Sequence, residues 1–225
     1  MDERIIKLIG EESLDKIKNA TVCVVGLGGV GGYAVEGLVR SGIEHFVIVD
    51  YDTIDISNLN RQIITNIHNL SCYKVDEMEK RILSINSDCK IIKVNSKLDE
   101  DNIVNLFEYS FDYLVDACDT ICVKELLIKE CLERGIQFIS SMGTGNKLRP
   151  LELEITDLRK TSYDPIVKKL RKYVVDNKIK GKIPVVYSKE KREKFQGSIP
   201  SMMFVPATSG ILCANYIINE IISSK

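Results

Sequence analysis

Apolar runs and stretches of helical periodicity alternate through the first two thirds of the chain. Five short apolar runs predict buried strands, and they lie at 21–26, 45–50, 91–94, 113–116 and 136–140. Three stretches carry apolar residues at helical spacing and predict helices, at 29–41, 72–85 and 121–134. Because strands alternate with helices, we expect an α/β fold with a Rossmann-like, mostly parallel sheet and flanking helices.

The pattern changes after Pro150. Residues 151–155 alternate between apolar and acidic side chains, which predicts a strand that is exposed on one face. Three further segments follow: a basic amphipathic helix at 165–174, a lysine-rich polar loop at 177–200 and an amphipathic C-terminal helix at 209–222. We therefore expect a single domain over 1–225, in which a core at 1–145 is extended at 146–225 by antiparallel strands, a basic segment and the last helix.

A glycine-rich loop lies between the first predicted strand and the first predicted helix. Its sequence, Gly26-Leu27-Gly28-Gly29-Val30-Gly31, satisfies G-x-G-x-x-G, and Asp50 ends the second strand 24 residues after Gly26. Glycines let the backbone approach a phosphate, the helix N-terminus supplies free N–H groups, and an acid at the second strand accepts hydrogen bonds from ribose. The loop therefore predicts a nucleotide site but leaves the nucleotide open, because NAD-dependent dehydrogenases use the same arrangement.

The residues after the second strand favour a triphosphate. Arg61 can form a bidentate pair with phosphate oxygens, and Lys74 places a second cation at the start of a predicted helix. Asp119, just past the fourth strand, is the kind of carboxylate that holds Mg²⁺ beside phosphates. We therefore expect ATP and Mg²⁺ as cofactors. Tyr51 either stacks on the adenine or packs beneath the strand end, and its place between two acids favours packing.

Composition limits the class of protein. Of the 225 residues, 44% are hydrophobic and 28% are charged, which favours a folded domain over disorder. No apolar run reaches the roughly 18 residues that span a bilayer, and residues 1–4 lack the pattern of a secretory signal. We therefore expect a cytoplasmic protein with no integral membrane segment. The seven cysteines form no C-x-x-C pair, which disfavours a zinc site.

The net charge of −1 hides an uneven distribution. Residues 159–194 contain 13 Lys/Arg and 4 Asp/Glu, so this basic segment carries +9 while the remainder carries −10. Such a segment either binds a polyanionic partner or is a solvated surface loop, and the charge alone leaves both interpretations open.

The sequence resembles the ubiquitin-activating-enzyme superfamily, which includes the adenylating enzymes of molybdopterin and thiamine synthesis. The resemblance lies in G-L-G-G-V-G at 26–31, D-Y-D-T-I-D-I-S-N-L-N-R-Q at 50–62, Lys74, and V-D-A-C-D at 115–119. It implies that Asp50 contacts the ribose and that Asp119 carries magnesium. The phosphates would be contacted by Asn58, Arg61 and Lys74.

The resemblance also implies a homodimer, in which Arg4 matches an arginine that family dimers place in the partner's site. Arg61, Lys74 and Asp119 are the expected catalytic residues. The residues expected to bind the nucleotide are Gly26, Gly28, Gly29, Gly31, Asp50, Asp52, Asn58, Arg61, Lys74, Asp119 and Arg4. A structural monovalent cation and a sulfur- or redox-handling protein partner remain open.

The second part of the chain indicates a branch of this superfamily. Gly143-Thr144-Gly145 is followed by T-D-L-R-K-T-S-Y-D-P at 156–165 and by K-L-R at 169–171. This pattern resembles the tRNA threonylcarbamoyladenosine dehydratases, a resemblance that implies ATP-dependent cyclisation of a threonyl-modified adenosine next to the anticodon. The substrate would be tRNA, and the basic segment would contact the RNA backbone phosphates.

Two other functions remain as hypotheses. The chain is alternatively an adenylating activator of a ubiquitin-like sulfur-carrier protein, although the C-x-x-C pairs typical of that branch are missing. A third hypothesis is a protein that binds a nucleotide for an interaction and catalyses no reaction. The presence of all three expected catalytic residues, Arg61, Lys74 and Asp119, argues against it.

Overall fold

The computed structural model describes residues 2–162, 164–191, 197 and 199–224. Parts of the predicted loop at 177–200 and of the basic segment at 159–194 therefore lie outside the described residues.

Within the described residues, seven strands form one sheet. The strands are β1 (Thr21–Val25), β2 (His45–Val49), β3 (Lys90–Val94), β4 (Tyr113–Asp116), β5 (Gln137–Ser141), β6 (Leu153–Asp157) and β7 (Pro184–Ser188). Their order across the sheet is β3-β2-β1-β4-β5-β7-β6. Every neighbouring pair is parallel except β6 and β7, which are antiparallel. The α/β fold with a mostly parallel sheet and an antiparallel extension is thus confirmed.

Helices cover both faces of this sheet. They are α1 (Asp2–Ile9), α2 (Glu11–Asn19), α3 (Gly31–Arg40), α4 (Lys74–Ile85), α5 (Ile103–Leu106), α6 (Ile121–Arg134), α7 (Pro165–Asp176) and α8 (Phe204–Ser223). Val22 and Val24 of β1 face one core with α3, α4 and α8, whereas Cys23 and Val25 face a second core with α5, α6 and α7. Burial of both faces explains why β1 is a continuous apolar run rather than an alternating one.

The C-terminal part departs from the prediction in three places. The loop predicted at 177–200 contains β7, which begins at Pro184 and lies between β5 and β6. The alternating strand is found as β6, two residues later than predicted, and α8 begins at Phe204, five residues before the predicted start. The prediction of a loop was wrong because the five buried residues of β7 lie between lysine-rich stretches. These lysines make the region polar on average and conceal the short apolar strand.

The extension at 146–225 shares the sheet and the core with residues 1–145. β7 pairs with β5, and α8 packs along α3. A methyl group on Gly210 of α8 would lie 2.2 Å from the carbonyl oxygen of Val30, so α8 closely approaches the glycine loop. None of the described helices has the length and apolar character needed to span a membrane.

Candidate functional site

A cavity of about 410 Å³ opens at the carboxyl ends of the central strands. It lies where β1 has β2 on one side and β4 on the other, the point at which the strand order reverses. Ligands of open α/β sheets bind in such crevices. Nine of the eleven residues expected to bind a nucleotide line this cavity: Gly26, Gly28, Gly29, Asp50, Asp52, Asn58, Arg61, Lys74 and Asp119.

The other two expected residues, Gly31 and Arg4, lie elsewhere. A methyl group on Gly31 would be 1.7 Å from the carbonyl oxygen of Gly26, so glycine is required there for the loop to pack against α3. Gly26 itself has a φ of 88° and lies against the backbone of Ala117. Arg4 is exposed on α1 and does not line the cavity of its own chain.

Asp50 follows β2 and is buried. Its two carboxylate oxygens accept the N–H groups of Leu27, at 2.7 Å, and Asp52, at 2.9 Å. Burial raises the pKa of Asp50, while the Lys74 ammonium and the two N–H groups favour its charged form. Each oxygen keeps a further lone pair, so the oriented carboxylate can still accept hydrogen bonds from ribose hydroxyls.

Lys74 is the first residue of α4, and only 4% of it is exposed. Its Nζ lies 2.8 Å from Oδ2 of Asp52 and 4.0 Å from Oδ2 of Asp50. The Lys74 N–H also donates to the carbonyl of Asp52, beside a backbone bridge between Thr53 and Tyr73. These contacts hold a buried positive charge at the end of β2.

Asn58 is the last residue of a 3₁₀ turn at Ile56–Asn58, and Arg61 follows three residues later. The Asn58 side-chain oxygen accepts the N–H of Asp55 at 3.0 Å, which orients the amide and leaves its NH₂ group for a ligand. Arg61 donates through Nη1 to the carbonyl of Ser57 at 2.8 Å and to Oδ1 of Asn60 at 2.9 Å. Its remaining N–H groups are available to phosphate oxygens.

Asp119 lies in the turn between β4 and α6 and is exposed. Among the described residues there is no group of three or more His, Cys, Asp or Glu side chains suited to hold a metal. A metal at Asp119 would therefore take one carboxylate from the protein and its other ligands from phosphates and water. Mg²⁺ prefers this donor set in nucleotide sites, so the residues fit it.

Sequence reasoning did not identify Lys124, a buried lysine of α6 that also lines the cavity. Its Nζ lies 3.0 Å from Oδ2 of Asp116 and 2.8 Å from the carbonyl of Ser141. The Ser140 hydroxyl donates to the same Asp116 oxygen at 2.5 Å, and the Cys118 N–H donates to the other at 3.2 Å. This network ties the ends of β4 and β5 together and holds the turn that carries Asp119.

Gln62 was also not predicted as a site residue, although it directly follows Arg61 in the N-L-N-R-Q run at 58–62. It is buried and lines the cavity, and its Oε1 has no hydrogen-bond partner within the described residues. An unpaired buried carbonyl is costly, so this oxygen is suited to accept a hydrogen bond from a bound ligand.

The expectation that Tyr51 packs beneath the strand end was wrong. The residue is 48% exposed and lines the cavity, where Lys97 lies over its ring. The strand ends at Val49, so the chain has already left the sheet at Tyr51.

The far wall of the cavity comes from the second part of the chain. The predicted Gly143-Thr144-Gly145 motif lines it together with Ile166. Asp164 caps α7 by accepting the N–H groups of Ile166 and Val167, at 2.8 and 3.3 Å, and so fixes Ile166 at the cavity. This wall lies across the cavity from Lys74, beyond the ends of β4 and β5.

A basic groove of about 710 Å³ adjoins α7. Its lining includes three cations of the basic segment, Lys168, Arg171 and Lys172, and two acids, Asp164 and Asp176. Because Ile166 of the same helix lines the nucleotide cavity, the basic groove and the cavity share α7 as a common wall.

Comparison with known proteins places these features in a family. A family model described as the ThiF family matches residues 2–162. The tRNA threonylcarbamoyladenosine dehydratase of Bacillus subtilis (strain 168) is 38% identical over 232 residues, covering 95% of this chain and 91% of that protein. The tRNA threonylcarbamoyladenosine dehydratase of Escherichia coli (strain K12) is 33% identical and covers 92% and 76%, respectively.

Solved structures give the same result. The crystal structure of the E. coli tRNA N6-threonylcarbamoyladenosine dehydratase in complex with ATP matches with a TM-score of 0.92 and 31% identity. The match covers 98% of this chain and 93% of that one. The E. coli protein MccB with ATP, at 20% identity and a TM-score of 0.64, shares the fold.

Replacing Lys124 tests the buried network. We expect Lys124→Met to lower the free energy of unfolding by about 3–5 kcal/mol, because it leaves the Asp116 carboxylate buried without its cation. Urea denaturation measures this change. Lys129→Met is the matched control: Lys129 is an exposed lysine of the same helix, paired with Glu133 at 4.0 Å, and its loss should cost less than about 1 kcal/mol. Equal effects of the two substitutions would contradict the network.

Proposed function

We propose a function on the premise that the chain belongs to the ThiF family, and within it to the tRNA threonylcarbamoyladenosine dehydratases. The reaction is the ATP-dependent cyclisation of N6-threonylcarbamoyladenosine next to the anticodon of tRNA, by adenylation of the threonyl carboxylate. One observation carries the proposal: Arg61, Lys74 and Asp119 line the same cavity as the glycine loop.

The chemistry explains why ATP is needed. A carboxylate is a poor electrophile, because its oxygen does not leave. In the first step a carboxylate oxygen bonds to the α-phosphorus of ATP, the bond from that phosphorus to the bridging oxygen breaks, and pyrophosphate leaves. The acyl-adenylate then reacts with the neighbouring group of the same modified nucleotide, and AMP leaves as the ring closes. The second nucleophile belongs to the substrate, so the proposed reaction uses no cysteine of the enzyme.

The residues of the cavity support these steps by position and charge. The backbone N–H groups of the glycine loop and the N-terminus of α3 face the phosphates, and Asp50 accepts hydrogen bonds from the ribose. Arg61, Asn58 and Lys74 contact the phosphates and stabilise the charge that develops at the α-phosphorus. Asp52 contributes by holding the Lys74 ammonium at 2.8 Å. Mg²⁺ held by Asp119 would add positive charge at the phosphates.

The carboxylate substrate enters the cavity from the side opposite the phosphates, where the second part of the chain forms the wall. The wall formed by Gly143, Thr144 and Ile166 lines the cavity, and the basic groove is lined by other residues of the same helix, α7. We propose that this groove binds the tRNA backbone while the modified base reaches the cavity along α7.

We further propose a homodimer that acts in the cytoplasm. Arg4 is exposed on α1 and does not line the cavity of its own chain, which fits a role in the partner's site. We assign no position to a monovalent cation or to a sulfur- or redox-handling partner. The B. subtilis relative and the E. coli structure that match more than nine tenths of both chains are tRNA threonylcarbamoyladenosine dehydratases, so we propose neither carrier-protein activation nor nucleotide binding without turnover.

The most direct test supplies ATP, Mg²⁺ and tRNA that carries threonylcarbamoyladenosine. We expect release of pyrophosphate and AMP together with a loss of one water from the modified nucleoside, which mass spectrometry of digested tRNA detects. Pyrophosphate release with a ubiquitin-like carrier and none with tRNA would contradict the proposal. Unmodified tRNA, which lacks the carboxylate, is the control.

Single substitutions test the catalytic set. We expect Arg61→Ala and Asp119→Ala each to lower the rate of pyrophosphate release at least about a hundredfold, because each removes charge stabilisation at the phosphates. Circular dichroism and the thermal midpoint should not change, since both side chains lie at the cavity surface. Arg134→Ala and Asp101→Ala, outside the cavity, are the matched controls. A near-normal rate in either site variant would place the chemistry elsewhere.

Charge reversal tests the basic groove. We expect Lys168→Glu and Lys172→Glu together to weaken tRNA binding and to reduce its salt dependence, by about one unit of log–log slope for each RNA phosphate that is no longer neutralised. ATP affinity should stay the same. Reversal of Lys80 and Lys129, two exposed lysines outside the segment, is the control. Unchanged tRNA affinity in the first variant would remove the groove from the RNA interface.

A further inference from the structure

A buried carboxylate oxygen at the start of α7 has no partner. Asp164 is only 4% exposed, and its Oδ1 accepts the N–H groups of Ile166 and Val167. Its Oδ2 is also buried and has no hydrogen-bond partner within the described residues. A buried acceptor without a partner costs free energy, so its presence beside the proposed substrate path points to a ligand.

Capping of α7 does not explain this second oxygen. A helix cap needs one side-chain oxygen, and Ser or Asn supplies it as well as Asp does. Pro165 is the first residue of α7 and further fixes the start of the helix. The Oδ1 atom therefore accounts for the structural role of Asp164, and Oδ2 is available to a ligand.

The Oδ2 atom lies where the nucleotide cavity meets the basic groove. A methyl group on Gly143 would lie 3.0 Å from Oδ2 of Asp164 and 3.5 Å from Cδ1 of Ile166, so the three residues meet at one point. Gly143 and Ile166 line the cavity, whereas Asp164 lines the groove. A nucleotide that passes from the groove into the cavity along α7 therefore reaches this point.

We propose that Asp164 is a catalytic residue for ring closure, in which Oδ2 accepts a proton from the carbamoyl group of the modified nucleotide. This group carries N–H donors next to the threonyl carboxylate, so it comes near Oδ2 when the carboxylate is in the cavity. The Oδ2 atom is enclosed in the free chain. The substrate reaches it by displacing the side chain of Ile166, which is only partly buried.

The proton transfer accompanies the second half-reaction. The carbamoyl group loses one N–H proton to Oδ2 while its nitrogen or its oxygen bonds to the acyl carbon. The bond from the acyl carbon to the adenylate oxygen breaks, and its electron pair leaves with AMP. Asp164 then releases the proton to solvent and is unchanged after the turnover. A positioned carboxylate base accelerates such a step by about 10²- to 10⁴-fold.

This assignment rests on the proposed function, but it concerns ring closure alone. Adenylation of the carboxylate releases pyrophosphate before the ring closes, so the two half-reactions can be measured separately. Pyrophosphate release by the original protein tests the proposed function. The ratio of cyclised nucleoside to pyrophosphate in a variant of Asp164 tests the assignment.

The experiment follows one turnover with ATP, Mg²⁺ and modified tRNA. We expect Asp164→Asn to release pyrophosphate within about twofold of the original rate and to close the ring at least about a hundredfold more slowly. The amide keeps a capping oxygen, but its NH₂ group cannot accept a proton. Added hydroxylamine should convert the accumulated acyl-adenylate into a hydroxamate, which mass spectrometry of digested tRNA detects.

A second variant and a matched control separate the base from the cap. Asp164→Ser supplies a different capping oxygen and no second one, so it should give the same result as Asp164→Asn. Asp99→Asn is the control, because one oxygen of Asp99 likewise accepts two N–H groups, those of Asp101 and Asn102, and Asp99 does not line the cavity. We expect both half-reactions of this control, and the thermal midpoints of all three variants, to stay unchanged.

Ring closure at the original rate in Asp164→Asn would overturn the assignment. An equal loss of pyrophosphate release and ring closure would also overturn it, because the defect would then precede the second half-reaction. The same slowing of ring closure in Asp99→Asn would show that the effect is not specific to Asp164. Absence of pyrophosphate release in the original protein would contradict the proposed function itself, and with it this assignment.

Discussion

The ion pair between Lys74 and Asp52 fixes a positive charge at the end of the parallel sheet. A carboxylate and a triphosphate repel each other, so a site that joins them has to present cations in a partly dry cavity. Lys74 is nearly fully buried, and its Nζ lies 2.8 Å from the Asp52 carboxylate and 4.0 Å from the Asp50 carboxylate, which offset the cost of burying its charge. The same contacts join the start of α4 to the end of β2. The glycine loop and Arg61 are arranged around this junction.

A second ion pair, in which both side chains are buried, has a similar role on the other half of the sheet. Lys124 and Asp116 join the ends of β4 and β5, and through Cys118 they hold the turn that carries Asp119. The cavity thus lies between two ion pairs, each made by a helix lysine and an acid at or just beyond a strand end.

The sequence was most informative where a function depends on neighbours along the chain. The run at 21–26 predicts β1 because both faces of that strand are buried, and the spacing from Gly26 to Asp50 follows from the βαβ unit itself. Residues whose role depends on distant contacts were missed. From its neighbours in the sequence Lys124 resembles a surface lysine, and only the contact with Ser141 at the end of β5 shows that it is buried. The residues of β7, Pro184–Ser188, lie among lysines in the sequence, and only the sheet shows that they are buried. Tyr51 was misplaced because its exposure depends on where β2 ends, and element boundaries are the least certain part of such predictions.

In the proposed reaction the substrate carboxylate attacks the α-phosphorus of ATP in this cavity. The decisive measurement labels both oxygens of the threonyl carboxylate in modified tRNA with ¹⁸O and determines the masses of the products after one turnover. Attack on the α-phosphorus transfers one carboxylate oxygen, so we expect AMP that carries one ¹⁸O and pyrophosphate that carries none. Unlabelled AMP, or ¹⁸O recovered in inorganic phosphate beside ADP, would contradict it.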